Sequence, residues 1–200
     1  MAAITSLDQL DPNGSYTYAD YLTWQFNDWV ELIKGRIYKM SPAPLDRHQA
    51  TAGNLHAILY YMLRKHPCTV RIAPSDVRLT RKGASDKEVI TVVQPDIYIV
   101  CDASKMDERG CNGAPDLVVE IMSPGSSARD LGIKKDIYAE AGVPYYWVAF
   151  PKERMVLCHA LEGQQYRITG TYAPDLGEPI PFPLKDGELI DIEEVFEGVR

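Results

Sequence analysis

Residues 113–148, GAPDLVVEIMSPGSSARDLGIKKDIYAEAGVPYYWV, hold the reading that decides the fold. The apolar run from Pro115 to Met122 is too short for a helix and rich in β-branched valine, so it reads as a buried strand. Ser123-Pro-Gly-Ser-Ser-Ala breaks it as a loop. A helix is expected near 130–141, with Asp130 as its N-cap, Gly142 just past its end and Pro144 barring continuation. Residues 145–150 then read as a strand, followed by another at 155–159.

Upstream, residues 46–65 form the clearest helix. Leu55, Ile58, Leu59, Met62 and Leu63 make one apolar stripe, with Asp46 as a candidate N-cap and Pro67 as the stop. Strand-like runs follow at 69–79 and 89–100. Nearer the N-terminus, 29–33 and 36–40 read as two strands about a Lys34-Gly35 turn, between prolines at 42 and 44 and a short helix at 16–26. Thr17 is placed to cap that helix, with Asp20 in its first turn. From Tyr172 onward the chain is rich in proline and glycine. The central order of helix, three strands, helix, strand predicts an α/β or α+β fold with a mixed sheet packed by two helices.

The chain has 200 residues, 46% hydrophobic and 24% charged, which suits one globular domain and excludes disordered, collagen-like and coiled-coil classes. Residues 143–150 form the longest apolar run, and Pro144 interrupts it, so nothing is long enough to span a bilayer. The first residues lack a basic and apolar leader, so a soluble cytoplasmic protein is expected. Cys68, Cys101, Cys111 and Cys158 fit no zinc spacing and are read as reduced, buried thiols. The net charge is −7, and residues 175–200 hold eight acids against two bases. The body is thus nearly neutral, and the acidic tail is expected either to dock on it or to repel nucleic acid.

The chemistry concentrates in two strands. Asp96 in QPDIY and Glu120 in PDLVVE put carboxylates in or beside apolar runs, where an ionised group needs a cation. Asp116 and Glu120 share a strand face but stand four residues apart, about 13 Å, too far to share one ion through that strand. Asp96 on a neighbouring strand is the better partner for Glu120, and an oxygen-rich pair suits Mg²⁺ or Mn²⁺.

PDIYIV at 95–100 and the whole 113–148 stretch resemble the Uma2 family, as do YTYADYLTWQ, WVELIKGRIYKMSPAP and DRHQATAGNL in the first third. The resemblance runs over nearly the whole chain. It implies the restriction-endonuclease-like fold of the PD-(D/E)xK nuclease superfamily. That fold is an α/β domain with an αβββαβ core, a mixed β-sheet flanked by helices. Here an N-terminal helix and β-hairpin (16–40), a core at about 46–160 and a C-terminal extension (172–200) complete a single domain. It also implies that Asp96 is the metal-binding aspartate and Glu120 the acid of (D/E)xK. Two positions beyond Glu120 stands Met122 rather than lysine, and Lys134 on the following helix takes that role in the resemblance. Glu31 is implied as a further acid that completes the ion's shell directly or through water, with His48 and Lys135 as additional candidates. Arg129 and Lys135 would touch phosphates, and the carbonyl of residue 121 would join Asp96 and Glu120 at the metal.

The implied function is a Mg²⁺- or Mn²⁺-dependent DNA endonuclease acting as a homodimer. Two alternatives stay open: an inactive nuclease-fold binding module, or a metal-dependent hydrolase of a small phosphorylated molecule. Blander readings stand beside the candidates. Asp96 caps a strand or pairs with an arginine, Glu31 sits on a half-exposed strand, and Lys134 lies on a solvated face with Lys135 and Asp136. Asp116 reads as a backbone hydrogen-bonding residue at a strand start, and His56, His66 and His159 as ordinary surface or core residues. The serine-rich loop suits a phosphate but lacks P-loop spacing. Tyr145-Tyr146-Trp147 reads as strand core before base-stacking surface.

Overall fold

The computed structural model describes residues 3–40, 45–81, 83–123 and 128–199, with the side chains of 128–130 outside the description. In chain order the elements begin with α1 (Tyr18–Tyr21), β1 (Val30–Ile33), β2 (Arg36–Lys39), α2 (Asp46–Leu63), β3 (Thr69–Ile72) and β4 (Val77–Arg78). Then come β5 (Val92–Val93), β6 (Ile97–Val100), β7 (Met106–Asp107), β8 (Gly110–Asn112), β9 (Leu117–Ile121) and α3 (Ala128–Ala141). The chain closes with β10 (Tyr145–Phe150), β11 (Met155–Glu162), β12 (Gln165–Tyr172), β13 (Ile180–Pro181), β14 (Leu189–Ile190) and α4 (Ile192–Val195).

Two six-stranded sheets carry the molecule. The larger runs β12-β11-β10-β9-β6-β3, and the smaller runs β2-β1-β5-β4-β8-β7. In the larger sheet β9 and β10 are parallel, joined through α3, and the other neighbours are antiparallel. The helix α2, strands β3, β6 and β9, helix α3 and strand β10 reproduce the expected αβββαβ order.

Strand parity divides the core. Ile97, Ile99, Leu117, Val119 and Ile121 turn to one side of the larger sheet, where Leu55, Leu59 and Leu63 of α2 cover them. Tyr98, Val100 and Val118 turn to the other, against Ile137 and Tyr138 of α3 and Val77 and Val93 of the smaller sheet. Alternate residues of one strand thus serve two cores.

Several elements differ from the sequence reading. The first helix is four residues long, begun by a Thr17–Asp20 capping box as expected. It ends early because Tyr21, Trp24 and Phe26 pack in a chain of rings and Trp24 bridges Ile4. Leu45, not Asp46, is the N-cap of α2, with no side-chain cap bond, and Asp46 is its first residue. The 69–79 run splits into β3 and β4 about the cis Ala73–Pro74 bond, and the 89–100 run splits at Gln94-Pro95 into β5 and β6. Each half belongs to a different sheet. Proline has no N–H for a ladder, so the chain leaves one sheet there and enters the other.

The Lys34-Gly35 turn is as expected. Both residues have positive φ, 52° and 76°, as a two-residue hairpin turn matching the strand twist requires. The reading of four reduced thiols is corrected. Cys68 and Cys101, one step beyond the Thr69–Val100 pair of adjacent strands, form a disulfide, while Cys111 and Cys158 are buried free thiols. The tail docks. Ile180, Phe182, Ile190, Ile192, Val195 and Phe196 join the α2-side core, and Asn54 of α2 donates to the Val195 and Glu197 carbonyls.

Candidate functional site

Three parts of the fold meet at the end of β6 and β9. The antiparallel register pairs Ile97 with Val119. Carried one step further, it sets Asp96 across from Glu120. Asp96 Oδ2 accepts a 2.7 Å hydrogen bond from the Ile121 N–H, which fixes the carboxylate at the strand end. Glu120 is 8% exposed and points to the α3 side of the sheet.

The helix α3 supplies the counter-charge. Lys134 Nζ lies 3.0 Å from Glu120 Oε1 and 3.0 Å from Glu31 Oε1. One helical turn later, the Tyr138 hydroxyl donates to the same Glu120 oxygen at 2.6 Å. Side chains four residues apart on a helix lie one above the other, so Lys134 and Tyr138 reach one target together. Glu31 arrives from β1 of the smaller sheet, 5% exposed, and its Oε1 also accepts from the Gln94 N–H at 2.8 Å. Lys134 thus ties both sheets to α3.

His48, in the first turn of α2, approaches from the opposite side of the larger sheet. Its Nε2 is 3.3 Å from Asp96 Oδ1. Burial lowers the imidazole pKa, but the hydrogen bond and charge of Asp96, aided by Glu120 and the Ile121 carbonyl, outweigh it and raise the pKa above its ordinary value. Burial, with the nearby charges of Asp96 and Glu31, pushes the Glu120 carboxyl up to about 7 against the pull of Lys134 and Tyr138. Burial opposes the charge on Lys134, yet the two glutamates hold its pKa above the usual lysine range.

Asp96, Glu120, Lys134, Glu31 and His48 therefore come together. Lys135 does not: it is near enough to His159 to lower that imidazole's pKa, round the helix from Lys134. Asp116 accepts from the Cys101 N–H at 2.7 Å, away from the site, as a backbone-bonding residue. His56 stacks on Tyr60, His66 accepts from the Cys68 N–H, and His159 packs on Tyr146. Tyr146 and Trp147 are core. The loop at 124–127 and the side chains of Arg129 and Asp130 lie outside the described residues.

Sequence reading missed Tyr138 and Gln94. Tyr138 carried a signal, its four-residue spacing from Lys134 on one helix face. Gln94 carried none: it acts through its backbone N–H, and its side-chain Nε2 donates to Asp76 at 2.9 Å, itself held by the Tyr18 hydroxyl at 2.8 Å. That chain of bonds braces Glu31 from behind.

The donor chemistry fits a hard divalent ion. Asp96, Glu120 and the Ile121 carbonyl offer oxygens at adjoining strand ends, and both free thiols are buried elsewhere. Among the described residues no three His, Cys, Asp or Glu side chains converge to hold an ion by themselves. Glu31 Oε1 is engaged by Lys134 and the Gln94 N–H, as Glu120 Oε1 is by Lys134 and Tyr138.

A family model described as "Uma2: Putative restriction endonuclease" matches residues 18–200. Among solved structures the chain is similar to the crystal structure of a protein from Anabaena variabilis described as "a putative nuclease belonging to DUF820". The TM-score is 0.67 at 20% identity, covering 91% of this chain and 98% of that one. At this identity the likeness is one of fold. No curated protein matches the chain. Among the described residues no helix is long and apolar enough to cross a membrane.

Proposed function

The chain belongs to the Uma2 family, and on that premise we propose that it is a Mg²⁺- or Mn²⁺-dependent endonuclease that hydrolyses phosphodiester bonds in DNA. The observation that carries the reading is the placement of Lys134 Nζ 3.0 Å from Glu120 and 3.0 Å from Glu31, beside the strand end that bears Asp96. An amine thus stands next to a carboxylate pair although the usual lysine position after Glu120 holds Met122.

Asp96, Glu120 and the Ile121 carbonyl would hold the ion. When bound, it supplies Lewis-acid polarisation of a phosphoryl oxygen and an acidified water. Lys134, held between two carboxylates, places a cation where negative charge grows in the transition state. Glu31 and Tyr138 position it: Glu31 fixes the amine, and Tyr138 fixes the oxygen the amine approaches. His48 orients Asp96 through its 3.3 Å contact.

Nicking of supercoiled plasmid DNA tests this. Cleavage should require Mg²⁺ or Mn²⁺, vanish with EDTA, and be lost in Asp96→Asn and Lys134→Met. No cleavage with either ion by the wild-type protein would overturn the reading. Retardation of DNA without cleavage would identify a nuclease-fold binding module instead.

A further inference from the structure

The outer face of α2 departs from an ordinary solvated helix face. Asp46, Gln49, Gly53, Ala57, Tyr61 and Arg64 are all exposed. At 100° per residue these positions fall on one stripe opposite His48 and the buried Leu55 and Leu59. Between its ends the stripe carries no charge. It has one acid at the first turn and one base at the last, with small residues in the middle. Arg47 lies 100° round from Asp46 and is half-buried.

Tyr60 and Tyr61 stand 58% and 65% exposed at the C-terminal end, with the Arg64 guanidinium 4.2 Å over the Tyr61 ring. Exposed tyrosine and arginine beside an uncharged surface are the residue types enriched at protein interfaces.

We infer that this face binds a second copy of the chain, α2 against α2, antiparallel about a two-fold axis near Leu55. The argument is self-complementarity. Two antiparallel copies centred there set Arg64 against the partner's Asp46, Tyr61 against the partner's Gln49, and Gly53 against the partner's Ala57. A two-fold interface requires each contact to occur twice in exchanged form, and this stripe meets that condition with opposite charges at both ends. The small central residues let the axes approach, and the tyrosines cover the notch beside them. The antiparallel helix dipoles add to the attraction. The opposite side of the same helix holds His48 against Asp96, so the contact would brace the helix that carries a site residue. The inference stands whether or not the protein cuts DNA.

Sedimentation equilibrium and light scattering on the full chain test it. The wild-type protein should have twice the 22.4 kDa chain mass at micromolar concentration. Arg64→Asp alone, or Asp46→Arg alone, sets like charges together and should weaken the dimer by about tenfold or more. The double exchange D46R/R64D should restore it. Gly53→Leu should abolish the dimer while the monomer folds normally, because Gly53 is exposed, a Cβ there meets nothing within 4 Å, and leucine favours the helix. A monomeric wild-type protein, or a dimer indifferent to Gly53→Leu and to the charge reversals, overturns the inference. So does a monomer that binds oligonucleotides through Tyr61 and Arg64, which would assign the face to nucleic acid.

Discussion

The Tyr138 hydroxyl donates a 2.6 Å hydrogen bond to the same Glu120 oxygen that Lys134 reaches at 3.0 Å. Two side chains one helical turn apart therefore hold one carboxylate oxygen, and their removal should have different consequences.

Tyr138→Phe deletes a buried donor to an acidic group, at a cost of about 1.5–3 kcal/mol of stability. Lys134 remains, so the fold should persist with a lower urea midpoint. If Glu120 is aimed by this bond, cleavage should slow without being lost. An unchanged urea midpoint would show that the hydroxyl bond contributes nothing net.

Asp96 and Asp116 both follow a proline and both accept a backbone N–H at 2.7 Å, from Ile121 and Cys101 respectively. Asp116→Ala should cost about 1–3 kcal/mol for the unsatisfied amide and leave metal-dependent cleavage intact. Asp96→Asn should abolish cleavage at a smaller cost in stability. Denaturation and plasmid nicking on the same two variants separate the roles.

His159 is 4% exposed, faces the rings of Tyr146 and Tyr166, shares its Nδ1 with the Tyr146 carbonyl, and has Lys135 nearby. Burial lowers its pKa below the ordinary 6.5, and Lys135 lowers it further against the Tyr146 bond. The unfolded chain then binds a proton that the folded one refuses, so this contribution to stability is present above the ordinary value and declines as pH falls below it. His159→Gln should flatten that decline. Urea midpoints at several pH values below neutrality, compared between the two proteins, check it.

Phe196 is 1% exposed within the α2-side core although it sits among acids. Phe196→Ala should destabilise the protein by about 3–5 kcal/mol. A loss under 1 kcal/mol would mean that the tail is only loosely applied to the body.

Much of the fold was legible. The apolar stripe of α2, the valine-rich β9 and the Gly142–Pro144 stop after α3 are local patterns, and each element formed where its pattern lay. β12 was not legible, because an edge strand with mostly exposed positions has no apolar run to mark it. The split of the two long strand runs between sheets was not legible either. A proline marks a break without saying where the chain goes next.

The same division holds at the site. The sequence by itself determined which residues are costly to bury: Asp96 and Glu120 stand beside or within apolar strands, and a charge in such a strand demands a partner. Only the tertiary structure decided who the partners are. Glu31, Lys134 and Tyr138 belong to another sheet and to a helix, and Cys68 meets Cys101 across adjacent strands. Burial cost is a property of a side chain and its immediate neighbours in sequence, whereas pairing depends on distances set by sheet register and helix docking.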